Sequence, residues 1–280
     1  MARIRVVTDS ACDLSTKLAA ERNLTLVPLN IRFGDEEFVD GTTLSTDEFW
    51  ARCAASSVLP ETSAPSPGSF QEAFLAAADE GHDGVICITI SAGVSATYQA
   101  AMAGAKAVAD RIPVRVIDSR SMTMGQGLMV LDAADLAATG ATLDELTARV
   151  ESLIPRTWVF GAVDTLEHLE KSGRIGGARA LLGSLLSIKP VVTLVDGKVA
   201  EESKQRTRGR SMRYLADKAR DAPPLSRLAV SNGAATDIDQ FLEMLEGVES
   251  EFPLEVTDLG PVVGTHTGPG TIGMSFVTKD

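Results

Sequence analysis

Short, apolar-rich segments alternate with amphipathic helical segments over the first 150 or so residues of the chain. The clearest apolar segments are RIRVV (3–7), GVICITI (84–90) and VRVI (114–117). Continuous runs of this kind are typical of strands that are buried on both faces, as in a parallel sheet. Strands and helices in alternation therefore predict a three-layer α/β unit with helices on both faces of the sheet.

Two capping boxes indicate helix starts in this half. Ser69 begins SFQE and Thr142 begins TLDE, and the second of these helices is expected to run to about Leu153. In a capping box, the first hydroxyl and the fourth side chain each accept a hydrogen bond from the other's backbone N–H group. Pro65 and Pro67 are expected to keep the segment before Ser69 out of a helix.

The periodic hydrophobic pattern is interrupted over residues 155–161, and this interruption separates the strands and helices above from a second group of predicted elements. The later pattern predicts a helical stretch over 165–186, strands within 187–200, a helix over 209–220, a strand over 227–231, a helix over 235–246 and strands to the end. We therefore predict a three-layer, mostly parallel-sheet α/β domain over residues 1–160. A second, smaller α/β domain is predicted over residues 161–280.

Composition narrows the class of protein. The chain has 280 residues, of which 44% are hydrophobic, and a formal net charge of -12. That acidity argues against general nucleic-acid binding, which depends on an excess of Lys and Arg. No apolar run approaches the roughly 18 residues of a membrane span, and polar Thr8 ends the first run too early for a secretory signal. Cys12, Cys53 and Cys87 lack CxxC spacing, which predicts reduced thiols in the cytoplasm and no structural metal site.

Small polar residues follow three of the predicted strands. They are Thr8, Asp9 and Ser10 after the first, Ser91 after the second, and Asp118 and Ser119 after the third. In open parallel sheets, ligands bind beyond the carboxyl ends of the strands. A hydroxyl-lined ligand site is therefore predicted at this edge, although Asp9 and Asp118 are equally suited to capping the helices that follow.

The segment ISAGVSATY (90–98) places hydroxyl groups at the expected start of a helix. Gly93 permits a tight turn after the strand, and Ser91, Ser95 and Thr97 lie around it. Helix N-termini have unpaired N–H groups and a partial positive charge, so a carboxylate or a phosphate is expected to fit there. The same hydroxyls also suit plain capping of the helix.

A second hydroxyl cluster lies in TSAPSPGSF (62–70). Two prolines stiffen this segment, so that Thr62, Ser63 and Ser66 can be held at fixed positions. The segment is either one wall of a binding site or an ordinary loop that leads into a helix.

Basic residues concentrate in two segments of this acidic chain. EKSGRIGGAR contains Lys171, Arg174 and Arg179, and KQRTRGRSMR spans 204–213. If residues 204–210 are extended, the even-numbered bases, including Arg206, share one face. Such a face would attract an anionic ligand or an acidic partner. Alternatively, these basic residues lie in solvent at the start of a helix and bind nothing.

His266 lies in the glycine-rich segment VVGTHTGPGTIG (262–273). Glycine allows a backbone to approach a ligand closely, and an imidazole exchanges protons near neutral pH, so the segment predicts a ligand site. Its GPGTIG piece fits the pattern GxGxxG. The dinucleotide fold, however, needs a helix and a second strand after the glycines. We expect TIGMSFV to form a closing strand instead.

Six segments in order resemble the DegV family of fatty-acid-binding proteins. They are VTDSACDLS, TSAPSPGSF, ISAGVSATYQAA, VIDSRSMTMGQG, LEKSGRIGGARALLGSLLSIKPVVTL and VGTHTGPGTIG, and together they cover nearly the whole chain. The resemblance implies a two-domain α/β protein that encloses one long-chain fatty acid between its domains. It also implies a partner, a separate ATP-dependent fatty acid kinase subunit that converts the presented carboxylate into an acyl phosphate for phospholipid synthesis.

The resemblance also implies roles for particular residues. The resemblance places Thr62 and Ser95 at the carboxylate with His266 nearby, and Arg174 at the docking and phosphotransfer surface. From the polar and basic segments above we add Ser63, Ser91 and Thr265 to the predicted fatty-acid site and Arg206 to the docking surface. No cofactor is implied besides the bound fatty acid, and peripheral membrane contact is expected for lipid exchange. Two residues of the segment ISAGVSATY differ from those usual in the family: Ala92 replaces a serine, and Ala96 replaces a glycine.

The leading hypothesis is thus a cytoplasmic fatty-acid carrier that is not catalytic alone. A serine hydrolase with Ser95 as nucleophile and His266 as base is the main alternative. Asp9 or Asp118 would then orient the imidazole ring. Thr97 replaces the last glycine of the GxSxG elbow that such enzymes use. A third hypothesis, a sugar- or nucleotide-binding protein, predicts a polar ligand instead of a lipid.

Overall fold

The structure is a computed structural model that describes residues 1–56, 58–181 and 188–279. These residues form thirteen β-strands and ten α-helices. The strands are β1 (Ile4–Asp9), β2 (Leu24–Val27), β3 (Asn30–Phe33), β4 (Glu36–Val39), β5 (Glu61–Ser63), β6 (Gly84–Thr89), β7 (Val114–Asp118), β8 (Thr157–Ala162), β9 (Lys189–Val195), β10 (Lys198–Gln205), β11 (Leu225–Gly233), β12 (Glu255–Asp258) and β13 (Thr271–Thr278). The helices are α1 (Thr16–Glu21), α2 (Thr46–Ala55), α3 (Pro67–Asp79), α4 (Thr97–Ala107), α5 (Thr123–Ala138), α6 (Leu143–Leu153), α7 (Glu167–Lys171), α8 (Arg208–Arg220), α9 (Ile238–Met244) and α10 (Pro261–Thr267).

The first main sheet is parallel and has the strand order β2-β1-β6-β7. Helices α5 and α6 pack on one face of this sheet, and α3 and α4 pack on the other. Val6 and Val7 are neighbours on β1 but belong to the cores on opposite faces, which is why the strand is apolar at successive positions. The predicted three-layer α/β arrangement is confirmed.

The second main sheet has six strands in the order β10-β9-β8-β13-β11-β12. All of its neighbouring pairs are antiparallel except β11 and β12. The segment TIGMSFV lies in β13 and is central in this sheet, as expected of a closing strand. The later half is therefore α/β as predicted, with a mainly antiparallel sheet. The domain limits remain a prediction, and β8 runs across the position after residue 160.

Helix α5 lies between the two main sheets. Every residue from 123 to 134 is buried, because the helix contacts β1 and β6 on one side and β11 and β13 on the other. Its sequence matches this position, since it has no continuous polar stripe in its first three turns. The helix thus joins the cores of the two halves. Among the described residues, no helix is long and apolar enough to cross a membrane.

A third, small antiparallel sheet has the order β4-β3-β5. The sequence patterns do not predict it, because its strands have only three or four residues each. Its edge strand β5 contains Thr62, which pairs with Ile31 of β3. The first two residues of the TSAPSPGSF segment are therefore in a strand and not in a loop.

Several element limits differ from the predictions. Helix α3 begins at Pro67 and not at Ser69, and the hydroxyl of Ser66 accepts the hydrogen bond from the Ser69 backbone N–H at 3.1 Å. Proline suits the first helical position because its φ is already helical and no N–H is needed there. Helix α6 does begin after Thr142, with both hydrogen bonds of the predicted capping box.

The basic segments also fold differently from expectation. The predicted helix over 165–186 is interrupted: α7 ends at Lys171, Gly173 has a φ of +74°, and a 3₁₀ helix spans Gly176–Leu181. The predicted residues from 182 onward lie outside the described part. Strand β10 ends at Gln205 and α8 begins at Arg208, so the bases of 204–210 do not share one extended face.

Asp13 connects the end of β1 to the start of α10. It follows the 3₁₀ helix Ser10–Cys12 with a φ of 54°, and its Oδ1 accepts a hydrogen bond from the Gly260 N–H at 3.1 Å. Burial raises the pKa of Asp13 to about 8. The carboxyl group is therefore mainly protonated in the folded protein at neutral pH, whereas it is ionised in the unfolded chain.

Replacing Asp13 by asparagine is expected to flatten the alkaline loss of stability. A raised folded-state pKa gives stability that is complete below the unfolded value of 3.8 and is lost as the pH rises to about 8. Asparagine tolerates positive φ and does not ionise. Urea midpoints measured at pH 5, 7 and 8.5 should fall less with rising pH in Asp13→Asn than in the wild type. In the control Asp110→Asn, which changes an exposed aspartate, the midpoints should fall as much as in the wild type. Equal falls in Asp13→Asn and the wild type would contradict the buried, protonated state.

Candidate functional site

A cavity of about 250 Å³ lies between the six-stranded sheet and the carboxyl ends of the parallel strands. Most of its wall is apolar and comes from both halves of the chain: Leu29, Ile90, Val94, Met122, Val159, Phe160, Val192, Leu194, Val199, Leu259, Val262 and Val263. Its polar side chains are Thr62, Ser63, Ser95, Thr123, Arg174, Thr193, His266, Thr267 and Thr271. A mainly apolar ligand that carries a polar group fits such a lining.

Thr62 and His266 meet at the polar part of this cavity. The Thr62 hydroxyl and Nε2 of His266 are 2.9 Å apart, although the two residues are 204 positions apart in the chain. Burial lowers the pKa of His266 to about 4, and the positive charge of Arg174 adds to this effect. The imidazole is therefore neutral at pH 7. Its Nδ1 is buried and has no hydrogen-bond partner in the part of the chain that the structure describes.

The start of helix α4 contributes Ser95 and Ala96 to the same cavity. Ala96 occupies the N-cap position and provides no side-chain hydrogen bond to the helix. The Ser95 hydroxyl lies 2.8 Å from the Thr97 hydroxyl and accepts from the Thr97 backbone N–H at 3.3 Å. Ala96 has a φ of -80°, which any residue adopts, so the family glycine is not required for this backbone conformation.

Ser91 lies beside the cavity but does not line it. Its hydroxyl donates to the Gly197 carbonyl at 2.7 Å and accepts from the Gly93 N–H at 3.1 Å. A Cβ atom on Gly93 would lie 2.5 Å from the same carbonyl oxygen, so only glycine allows this approach. Ser91 therefore joins the turn after β6 to the β9–β10 hairpin. Asp118 holds the other side of this turn by accepting from the Ala92 N–H at 3.0 Å.

The first part of the glycine-rich segment, up to Thr267, is helical. Residues Pro261–Thr267 form α10, which presents the His266 ring to the cavity. A Cβ on Gly264 would lie 2.8 Å from the Trp50 ring and 2.9 Å from the Phe49 ring, so this glycine allows α10 to pack on α2. The close approach seen at Gly264 is thus to another helix, and a close approach of this backbone to a ligand stays a prediction.

A solvent-facing cleft of about 470 Å³ adjoins the cavity, and we call it the outer cleft. It shares Thr62, Arg174 and His266 with the cavity. Its other lining residues are Leu59, Pro60, Glu61, His168, Lys171, Ser172 and Thr265. Arg174 is exposed and donates to the Ser172 carbonyl at 2.8 Å. Cationic side chains thus lie on the outer side of the same Thr62 and His266 that line the cavity.

Two other residues of the predicted site lie away from the cavity. Thr265 is buried on α10, and its hydroxyl donates to the Pro261 carbonyl at 2.8 Å within the helix. Arg206 is exposed between β10 and α8 and borders neither the cavity nor the outer cleft. The structure therefore brings together Thr62, Ser63, Ser95, Arg174 and His266 from the predicted set. No group of three or more His, Cys, Asp or Glu among the described residues is arranged to hold a metal ion.

The geometry does not support the serine hydrolase hypothesis. The hydrogen bond of His266 is to Thr62, and neither candidate aspartate orients its ring. Asp9 accepts from the backbone N–H groups of Ala11 and Ile90, and Asp118 accepts from two backbone N–H groups as well. Asp9 therefore caps the 3₁₀ helix Ser10–Cys12, as the sequence allowed, whereas Asp118 holds the turn after β6 and does not cap α5, whose N-cap is Met122.

Sequence patterns do not identify the apolar lining. Val192, Leu194 and Val199 lie on β9 and β10 and have the composition of ordinary core residues. Val94, Met122, Val192 and Leu194 lie inside the family-like segments, and that position is the one signal that marks them, whereas Val199 lies outside those segments. Phe49 and Trp50, which support α10, carry no such signal.

The family with the description "Uncharacterised protein, DegV family" has a sequence model that matches residues 3–279. The chain belongs to the DegV family. A DegV domain-containing protein from Streptomyces coelicolor is 34% identical over 278 residues, which is 97% of each chain.

Solved structures of DegV family proteins share the fold. A fatty-acid-binding DegV family protein from Thermus thermophilus is 31% identical, with a TM-score of 0.88 over 99% of this chain and 100% of that chain. DegV from Bacillus subtilis, a fatty acid binding protein, is 28% identical, with a TM-score of 0.85 over 100% of both chains. The arrangement of the two main sheets described above is thus the family's arrangement.

Proposed function

We propose that the protein binds one long-chain fatty acid in the cavity and presents its carboxylate to a separate, ATP-dependent fatty acid kinase subunit. The observation that carries this proposal is the lining: a mainly apolar cavity between two sheets has Thr62, Ser95 and His266 among its polar side chains. The fatty acid binding of the Thermus thermophilus and Bacillus subtilis relatives supports it.

The carboxylate contacts follow from the hydrogen-bonding capacity of the neutral imidazole. Such a ring carries one hydrogen, and we infer that it is on Nε2, because buried N–H groups without an acceptor are rare and Nδ1 has none. Nε2–H then donates to the Thr62 oxygen, which frees the Thr62 O–H to donate to the ligand. The hydroxyl of Ser95 and the first-turn backbone N–H groups of α4 that follow Thr97 would provide further donors for an anion, since the Thr97 N–H already donates to Ser95.

Most of the affinity would come from the acyl chain. Burial of each methylene contributes about 0.8 kcal/mol before the cost of ordering the chain. A protein with a net charge of -12 can therefore hold an anionic lipid without an arginine clamp on its carboxylate. Hydroxyl donors leave one carboxylate oxygen able to attack a phosphate, whereas a bidentate guanidinium would occupy both.

The outer cleft would be the face that meets the kinase subunit. Arg174 lies at the boundary between this cleft and the cavity, and Lys171 lines the cleft beside it. Their positive charge suits a phosphoryl group in transfer. Arg206 is proposed as a docking residue at a distance from the cleft. The protein would act in the cytoplasm, with peripheral membrane contact for lipid exchange and acyl phosphate passing to phospholipid synthesis.

Lipid extraction tests the binding step. Protein purified from its own host, then denatured and extracted, is expected to release about one equivalent of long-chain fatty acid, measured by mass spectrometry. Delipidated protein should then take up oleate or palmitate. Absence of both bound lipid and uptake would contradict the proposal. Labelling of Ser95 by a fluorophosphonate would instead favour the hydrolase hypothesis.

A further inference from the structure

The cavity borders surface depressions at two places of opposite chemistry. At the outer cleft it shares Thr62, Arg174 and His266. A second depression of about 510 Å³, which we call the rear groove, shares with the cavity only Val159 and Leu194 among the residues that the structure describes. Groups that suit a carboxylate therefore lie at the first boundary, and two apolar side chains form the second.

Val159 and Leu194 are neighbours across the six-stranded sheet. Strands β8 and β9 pair Phe160 with Thr193, and the next residue on each strand is Val159 and Leu194 respectively. Residues opposite each other in an antiparallel pair lie close enough for their side chains to touch. Both side chains are half-buried and border both spaces, so they form a wall one side chain thick.

Helix α5 holds one part of this wall in place. Gly125 approaches Val159 so closely that an added Cβ would lie 2.2 Å from Val159 Cγ2. The position of Val159 is therefore set by packing between a strand of one sheet and the helix shared by both. A wall fixed in this way gives the cavity a defined depth.

We propose that Val159 and Leu194 form the end wall for the acyl chain and set the longest fatty acid that the protein accepts. This inference rests on the proposed function, because Thr62 and His266 must hold the carboxylate end. The methyl end then reaches the wall. Shortening either wall residue opens the cavity toward the rear groove, where Ile154 and Pro155 provide apolar surface. Enlarging a wall residue shortens the space.

Competitive loading tests this role. Delipidated wild type, Val159→Ala, Leu194→Ala and Leu194→Phe are incubated with an equimolar mixture of saturated fatty acids from dodecanoate to docosanoate. The bound acids are then extracted and quantified by mass spectrometry. One additional buried methylene changes affinity about fourfold. We expect both alanine variants to shift the bound distribution at least fourfold toward longer acids, and Leu194→Phe to shift it toward shorter ones.

The matched control is Val195→Ala, which alters the next residue of β9. Val195 is 56% exposed and does not line the cavity. The chain lengths of the fatty acids bound by Val195→Ala should therefore be distributed as in the wild type. If the wall variants bind one equivalent with an unchanged distribution, the wall role is overturned while the proposed function stands. If the wild type binds no fatty acid, the proposed function fails, and this inference fails with it. Should an alanine variant not fold, Val159→Leu replaces it, with an expected shift toward shorter acids.

Discussion

Replacing Thr62 by valine is expected to weaken fatty acid binding about ten- to a hundredfold. Valine keeps the shape of threonine but has no hydroxyl, so the proposed hydrogen bond to the carboxylate is lost. It also removes the partner 2.9 Å from Nε2 of His266. Hydrogen bonds to charged groups are worth about 1.5–3 kcal/mol, which corresponds to this range of affinity. Titration of the delipidated variant with oleate measures the change.

The conservative variant separates the hydroxyl from the shape of the side chain. Thr62→Ser retains the oxygen and should bind oleate within about threefold of the wild type. The Tm of each apo protein should be compared, because Thr62 lies on the short edge strand β5. If Thr62→Val binds as tightly as Thr62→Ser, the carboxylate lies elsewhere in the cavity.

Replacing Arg174 by alanine is expected to lower acyl phosphate formation at least tenfold and to leave the Kd for fatty acid within twofold. The guanidinium is exposed at the boundary of the outer cleft, and the hydrogen bonds seen for it go to the carbonyls of Val94 and Ser172. Its loss would remove positive charge from the proposed path of the phosphoryl group. Product formed with the kinase subunit and ATP gives the rate, and titration gives the Kd.

Two further variants sharpen this test. Arg174→Lys keeps the charge without the planar fork of donors, so an intermediate rate is expected. Arg115→Ala removes an exposed arginine that borders neither the cavity nor the outer cleft, and it should leave the rate unchanged. Equal losses of rate and fatty acid affinity in Arg174→Ala would assign Arg174 to the carboxylate site. A rate equal to that of the wild type would contradict a role in phosphotransfer.

Features that depend on residues close together in the sequence were predictable from the sequence alone. The parallel strands have apolar side chains on both faces because helices cover both faces, and this pattern appears directly in β1 and β6. The capping box at Thr142 also forms as predicted, since its hydrogen bonds connect residues only three positions apart. The ordered family-like segments were sufficient to indicate the DegV family, which the match over residues 3–279 confirms.

The conformation around His266 was not predictable in the same way. Four glycines in twelve residues favour an open backbone, yet Pro261 begins a helix there and Gly264 lets it pack against Phe49 and Trp50. The aromatic residues that favour this helix lie more than 200 positions earlier in the chain. Ser91 likewise contacts Gly197, a residue 106 positions away, instead of lining the cavity.

The sequence by itself determined the strand and helix alternation, the acidic, apolar-rich composition and the segments that carry the family's polar residues. Only the tertiary structure decided which of those residues meet, because Thr62 and His266 come together across 204 positions. It also decided that Val159, Val192 and Leu194 line a cavity. Apolar side chains look alike in a sequence whether they fill a core or border a space. The difference depends on how closely the two sheets approach each other around α5.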